Sequence, residues 1–199
     1  KPFIMKPHWN NKSGNFIGGW YMEDDSLCDK LINYFNDSEN KIVGEIWENN
    51  QRSVNPKTKE SIDVRLNGDM DLSNEYNYHL QDCVREYCKL YEYSTETTCL
   101  WDSSIEVPNI QYYKPGGGFK IWHFERTGTD SMTRNLVFMT YLNTVTDLGG
   151  TAFKYQNLEV QAEKGLTLIW PSDWTHTHKG IVSPTQEKYI LTGWFNYVL

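Results

Sequence analysis

Several familiar signatures are missing from this chain, and each absence narrows what it can be. Its four cysteines, Cys28, Cys83, Cys88 and Cys99, form no CxxC pair and all precede residue 100. That pattern suits reduced structural thiols better than a disulfide framework. No apolar run approaches the ~20 residues of a membrane span, and the opening KPFIMKPHWNNKSG lacks the apolar centre of a signal peptide. A soluble, cytoplasmic protein without a membrane partner is therefore expected. Basic residues are also scarce, 19 Lys and Arg against 26 Asp and Glu, for a net charge of −7. This balance disfavours a phosphate backbone, so no nucleic-acid partner is expected. Repeats and low-complexity tracts are absent too, and nothing indicates an oligomeric state.

What is present suits one domain spanning residues 1–199, with N-terminal helical and strand support over about 1–104 and a catalytic core over about 105–199. Aromatics make up 15% of the chain, and such side chains pack well on pleated sheets. A first helix is predicted from Asp25 or Ser26, where Leu27, Leu31, Ile32 and Phe35 follow at helical spacing and the acidic run 23–25 suits the positive helix end. A second is predicted from about Ser73 to Tyr93, with Tyr76, Leu80, Cys83, Val84, Tyr87 and Leu90 on one stripe. Residues 41–71 read as one or two strands around a long polar loop, either a lid over a site or a solvated connection.

From Ile105 onward, short β-type runs alternate with Gly, Pro, Asn and Asp: IQYY, FKIWHFE, LVFMTYL, AFKY, LTLIW, HKGIV and KYILTGWF. The predicted fold class is α+β, a double-stranded β-helix (jelly-roll, cupin-like) core with N-terminal helices packed on one sheet.

Within FKIWHFE, His123 and Glu125 stand one residue apart, and strand alternation points both to one face. Alone, H-x-E is a weak signal, since a polar surface pair has the same sequence. In PSDWTHTHKG, His176 and His178 each offer a further imidazole. Two histidines and one carboxylate make the facial triad of non-haem Fe(II) oxygenases, which leaves positions open for co-substrate and O2.

The last run, KYILTGWF, sets Lys188, Ile190, Thr192 and Trp194 on one face. Inside a barrel the ammonium of Lys188 needs an anionic partner, because an unpaired buried charge costs several kcal/mol. The distal carboxylate of 2-oxoglutarate would satisfy it, and Tyr141 could donate a second bond to that carboxylate. Tyr113, ten residues before His123, could line the metal end. Arg134 is placed to orient a substrate or to pair with an acid.

These residues resemble the prolyl 4-hydroxylase group of Fe(II)/2-oxoglutarate dioxygenases, including small viral and bacterial members, over residues 112–196. The match runs through YYKPGGGFKIWHFE, Arg134 seven residues before Tyr141, the GGTAF turn at 149–153, and HKGIVSPTQEKYILTGWFN. In the last segment a distal histidine is followed ten residues on by a basic residue that starts a strand ending in tryptophan. The resemblance therefore implies His178 rather than His176 as third ligand, Lys188 and Tyr141 on the distal carboxylate, and Thr192 and Trp194 in the same pocket. It also implies Fe(II), 2-oxoglutarate and O2, with ascorbate as reductant, and release of succinate and CO2. Glu125 departs from the aspartate usual in relatives but can still coordinate. A retained carboxylate favours hydroxylation over halogenation. The short length and the H-x-E variant also resemble small oxygenases carried by phages.

By the same analogy the substrate is a prolyl residue of a peptide or protein, with a free amino acid or another small metabolite as the alternative. Two further alternatives stand outside this chemistry: a cupin-like metal protein without oxygenase activity, and a purely structural jelly roll with incidental histidines.

Overall fold

The computed structural model describes residues 5–48, 51–97 and 101–198. Cys99 and, in the polar stretch read above, Asn49 and Asn50 lie outside them. Two short strands, β1 (Lys6–Pro7) and β2 (Gly18–Tyr21), precede helix α1 (Ser26–Asp37). At its start the carboxylate of Asp24 accepts from the backbone N–H of Ser26 at 2.9 Å. Leu27, Leu31 and Phe35 form its buried stripe. The second helix, α2 (Met70–Leu90), begins three residues earlier than predicted, because Asp69 caps it by accepting from the N–H of Leu72 at 2.9 Å.

Between the helices the polar stretch is more ordered than its composition suggests. It holds β3 (Ile42–Val43), a hairpin of β4 (Ile46–Glu48) and β5 (Gln51–Ser53), then β6 (Lys59–Glu60) and β7 (Ile62–Arg65). These replace the one or two strands and long loop expected there. Strands of two or three residues carry too few alternations to show a period, and distant partners hold them.

The second half supplies β8 (Trp101–Asp102), β9 (Asn109–Tyr113), β10 (Gly118–Phe119), β11 (Arg134–Tyr141), β12 (Thr151–Phe153), β13 (Leu158–Val160), β14 (Leu166–Pro171), β15 (His178–Gly180) and β16 (Lys188–Tyr197). A nine-stranded antiparallel sheet runs β1-β2-β14-β11-β16-β9-β7-β3, with β8 also on β16, and a smaller sheet runs β13-β12-β15. The predicted jelly-roll core with helices on one sheet is the observed architecture. N-terminal strands are integral to it, since β2 pairs with β14 and β7 with β9.

FKIWHFE is not one strand. Phe119 pairs with Lys59 of β6, whereas His123 pairs with His178 through a single bridge. The segment changes partner between these points, which interrupts its ladder and leaves Ile121 and Trp122 exposed.

Side-chain alternation along the long strands builds two cores. Leu136, Phe138, Leu191 and Phe195 face the helices, joining Leu31, Phe35, Leu80 and Tyr87. Val137, Met139, Tyr141, Leu168, Trp170 and Ile190 face the smaller sheet, with Phe153 and Val160. A buried polar chain pins α2 to the large sheet: Tyr76 meets Thr140 at 2.8 Å, Thr140 meets Thr167 at 2.6 Å, and Thr167 meets the Nε2 of His79 at 2.8 Å.

Candidate active site

The inner face of the large sheet opens onto a cavity of about 850 Å³. All four residues of the predicted inner face of β16, Lys188, Ile190, Thr192 and Trp194, line it, together with His123, Glu125 and His178. Strand periodicity is the physical reason, since alternate residues of β16 share the wall.

Backbone pairing holds the two histidines side by side. Each donates its N–H to the other's carbonyl, at 2.9 and 2.8 Å. Their side chains are oriented in the same manner: Nδ1 of His123 donates to the Ile121 carbonyl at 3.0 Å, and Nδ1 of His178 to the His176 carbonyl at 2.9 Å. A carbonyl can only accept, so the proton sits on Nδ1 and the Nε2 lone pair is free. Both Nε2 atoms face one oxygen of Glu125, Oε1, at 3.6 Å from His123 and 3.4 Å from His178. The three donor atoms lie within 4.8 Å of one another. Phe119 stacks on the His123 ring, with centroids 3.6 Å apart at 11°.

The electrostatics suit a cation. Burial, and secondarily the neighbouring His178, lowers His123 to about 4, so it is neutral at neutral pH. Burial works to raise Glu125, but its neighbours His178, His123 and Arg134 outweigh it and hold the carboxyl below its usual range. Two imidazoles with their Nε2 lone pairs turned inward and a carboxylate are the donor set suited to Fe(II).

His176 is turned elsewhere. Its Nε2 meets the Asn15 carbonyl at 3.0 Å and its Nδ1 the Thr175 hydroxyl at 3.0 Å, tying the loop before β15 to the N-terminal segment.

At the far end of the cavity Lys188 is buried, and burial lowers it to about 8. Its ammonium donates to the Gly149 carbonyl at 2.9 Å and stands 5.2 Å from the centre of the Tyr113 ring. No carboxylate among the described residues pairs with it, so a ligand carboxylate fits there. Gly149 adopts φ +77°, and a Cβ on it would meet Val145 at 2.4 Å, so glycine is required where the turn aims this carbonyl.

Tyr113 lines the cavity and donates to Gln111 at 2.6 Å. Tyr141, expected on the distal carboxylate, is fully buried outside the cavity lining. Its hydroxyl meets Thr151 at 2.6 Å, and it is Thr151 that lines the wall. Thr192 donates to the Phe138 carbonyl at 3.0 Å, and Trp194 donates from Nε1 to Oε2 of Glu125 at 3.1 Å. Arg134 forms a two-pronged pair with Glu106, at 2.8 and 2.7 Å.

Other wall groups carry no signal in the sequence. Lys59 and Asp63 form a buried pair at 2.8 Å, and Asp63 also accepts from Ser61 and Asn109. The β4–β5 hairpin contributes Ile46 and Arg52 to the cavity mouth. No local motif marks these residues, because they converge only once β6 and β7 join the sheets.

Residues 108–196 match the sequence model of the 2OG-Fe(II) oxygenase superfamily. Comparison with curated protein sequences gave no match. Among solved structures, a viral collagen prolyl hydroxylase from Paramecium Bursaria Chlorella virus-1, in complex with 2OG, superposes with a TM-score of 0.68 at 17% identity, covering 94% of this chain and 98% of that one. A Pseudomonas putida prolyl-4-hydroxylase gives 0.67 at 15%, covering 96% and 97%. A Trichoplax adhaerens prolyl hydroxylase, in complex with a hypoxia inducible factor oxygen degradation domain peptide fragment, gives 0.72 at 15%, covering 94% and 86%. Residues 108–196 thus read as a 2OG-Fe(II) oxygenase domain, set in a fold shared with prolyl hydroxylases, and this match together with the His-Glu-His cluster supports a dioxygenase that uses Fe(II), 2-oxoglutarate and O2.

Proposed function

We propose that His123, Glu125 and His178 hold the iron, that Lys188 holds the distal carboxylate of 2-oxoglutarate, and that the enzyme hydroxylates a prolyl residue of a peptide or protein. The convergence of both Nε2 atoms on one oxygen of Glu125, in the same cavity as a buried ammonium, carries this assignment. With Fe(II), 2-oxoglutarate and O2 bound, the centre supplies the oxidising power to hydroxylate an unactivated C–H bond with release of succinate and CO2.

The chain's own residues orient and desolvate. The Ile121 and His176 carbonyls keep the two imidazoles in the ligating tautomer. Lys188 meets a carboxylate in a charge-assisted bond, with Thr151 beside it and Tyr141 holding the Thr151 hydroxyl from behind. Val137, Met139, Trp170 and Ile190 form an apolar wall that excludes water.

A polypeptide substrate is supported by the mouth. Ile42 and Ile105 line it while remaining 48% and 50% exposed. An extended chain can cover both. The test is iron-dependent conversion of 2-oxoglutarate to succinate across a panel of proline-containing peptides, with mass spectrometry of the peptide. Gain of one oxygen on proline is expected. Turnover coupled only to free amino acids would replace the peptide with a small metabolite.

A further inference from the structure

Resting on the ligand assignment above, we infer that Glu106, Arg134 and Trp194 form a clamp that positions the glutamate ligand, and that Arg134 serves this clamp rather than the substrate. The two oxygens of Glu125 have different surroundings. Oε1 faces both histidine Nε2 atoms, whereas Oε2 accepts from Trp194 Nε1 at 3.1 Å and lies 3.7 Å from Nη1 of Arg134. One oxygen is held so that the other can be presented.

The arginine is itself immobilised. Its Nε and Nη2 form the paired bonds to Glu106, its Nη1 donates to the Glu125 carbonyl at 3.1 Å, and its guanidinium carbon lies 3.5 Å from the centre of the Trp194 ring. Three of its N–H groups and one face of its plane are thus engaged within the protein. Both charged partners are partly buried, Arg134 at 19% and Glu106 at 32% side-chain exposure, so the pair is less screened than a surface one.

A glutamate needs such support more than an aspartate. Its extra methylene adds a rotatable bond, and a flexible carboxylate loses more freedom when it is fixed on a metal. Glu106 anchors Arg134, Arg134 stacks on Trp194, and Trp194 with Arg134 restrains Oε2. All three are positioning residues, acting on the metal only through Glu125.

The clamp is tested by titrating Co(II), an O2-stable stand-in for Fe(II), into wild-type protein and the variants E106Q, R134M, R134K, W194F and E106Q/R134M. Affinity, the visible ligand-field spectrum and a thermal melt are recorded for each. E106Q, R134M and W194F are expected to bind Co(II) roughly 10–100-fold more weakly, with altered spectra and folded melts. R134K should fail to restore the wild-type spectrum, since an ammonium cannot reproduce the paired bonds to Glu106. The double variant should bind no more weakly than R134M, because Glu106 acts through the arginine.

Wild-type affinity and spectrum in both E106Q and R134M would overturn the clamp and return Arg134 to the substrate. A further full loss on adding E106Q to R134M would overturn the order of the chain. Absence of Co(II) binding by the wild type would overturn the ligand assignment itself, a result distinct from either.

Discussion

The two faces of β16 share one backbone and meet opposite environments. Tyr189, Leu191, Gly193 and Phe195 lie on the face of the sheet that packs on α1 and α2, in a largely apolar core. Lys188, Ile190, Thr192 and Trp194 face a cavity holding the candidate ligands. Alternation lets a single strand serve as core on one side and as binding wall on the other, so neighbouring residues should fail in different ways when changed. Outer-face substitutions should unfold the protein, and inner-face substitutions should leave it folded but unable to bind.

The largest effect is expected at Phe195, 1% exposed and packed on Phe138 and Trp101. Phe195→Ala should cost about 3–5 kcal/mol in urea unfolding. At Gly193 a Cβ would meet the Phe138 ring at 2.4 Å. Gly193→Ala should therefore cost roughly 1–3 kcal/mol by overpacking. On the inner face, Lys188→Met should weaken 2-oxoglutarate binding ~10–100-fold, matching the ~1.5–3 kcal/mol of a charge-assisted bond, while leaving unfolding near wild type. A loss of stability at Lys188 as large as at Phe195 would erase the distinction between the faces.

A smaller effect concerns acid. Burial lowers His79 to about 4, and this ring closes the polar chain between α2 and the large sheet. Between pH 6.5 and 4 the unfolded chain binds a proton there that the folded protein does not. Stability should accordingly fall as pH drops through that window. His79→Gln should shallow the fall, measured as the urea midpoint at pH 7.5 and pH 4.5. Its slope will not vanish, because burial lowers His8 and His176 as well.

The same strand explains what the sequence disclosed. Over ten residues β16 repeats its alternation often enough to sort Lys188 and Trp194 from Leu191 and Phe195 without coordinates. H-x-E and the histidines at the entry to β15 were visible because their spacing is local. The partner of Arg134 was not, since Glu106 lies 28 residues away on an irregular segment. Lys59 and Asp63 were hidden for a related reason: strands of two and four residues have little or no readable period, and their burial is decided by β9 and β10. Tyr141 packs in the inner core with Val137 and Met139, but its hydroxyl meets Thr151, on another sheet, and it is Thr151 that lines the cavity.

The identity of the two histidines that carry the metal decides the site. His178 offers a free Nε2 towards Glu125, whereas both ring nitrogens of His176 are engaged by Asn15 and Thr175. The direct measurement is Fe(II) stoichiometry under anaerobic conditions for His178→Ala and His176→Ala beside the wild type. Loss of iron from His178→Ala, with about one equivalent kept by His176→Ala, is the predicted result. Retention of iron by His178→Ala with loss from His176→Ala would contradict it.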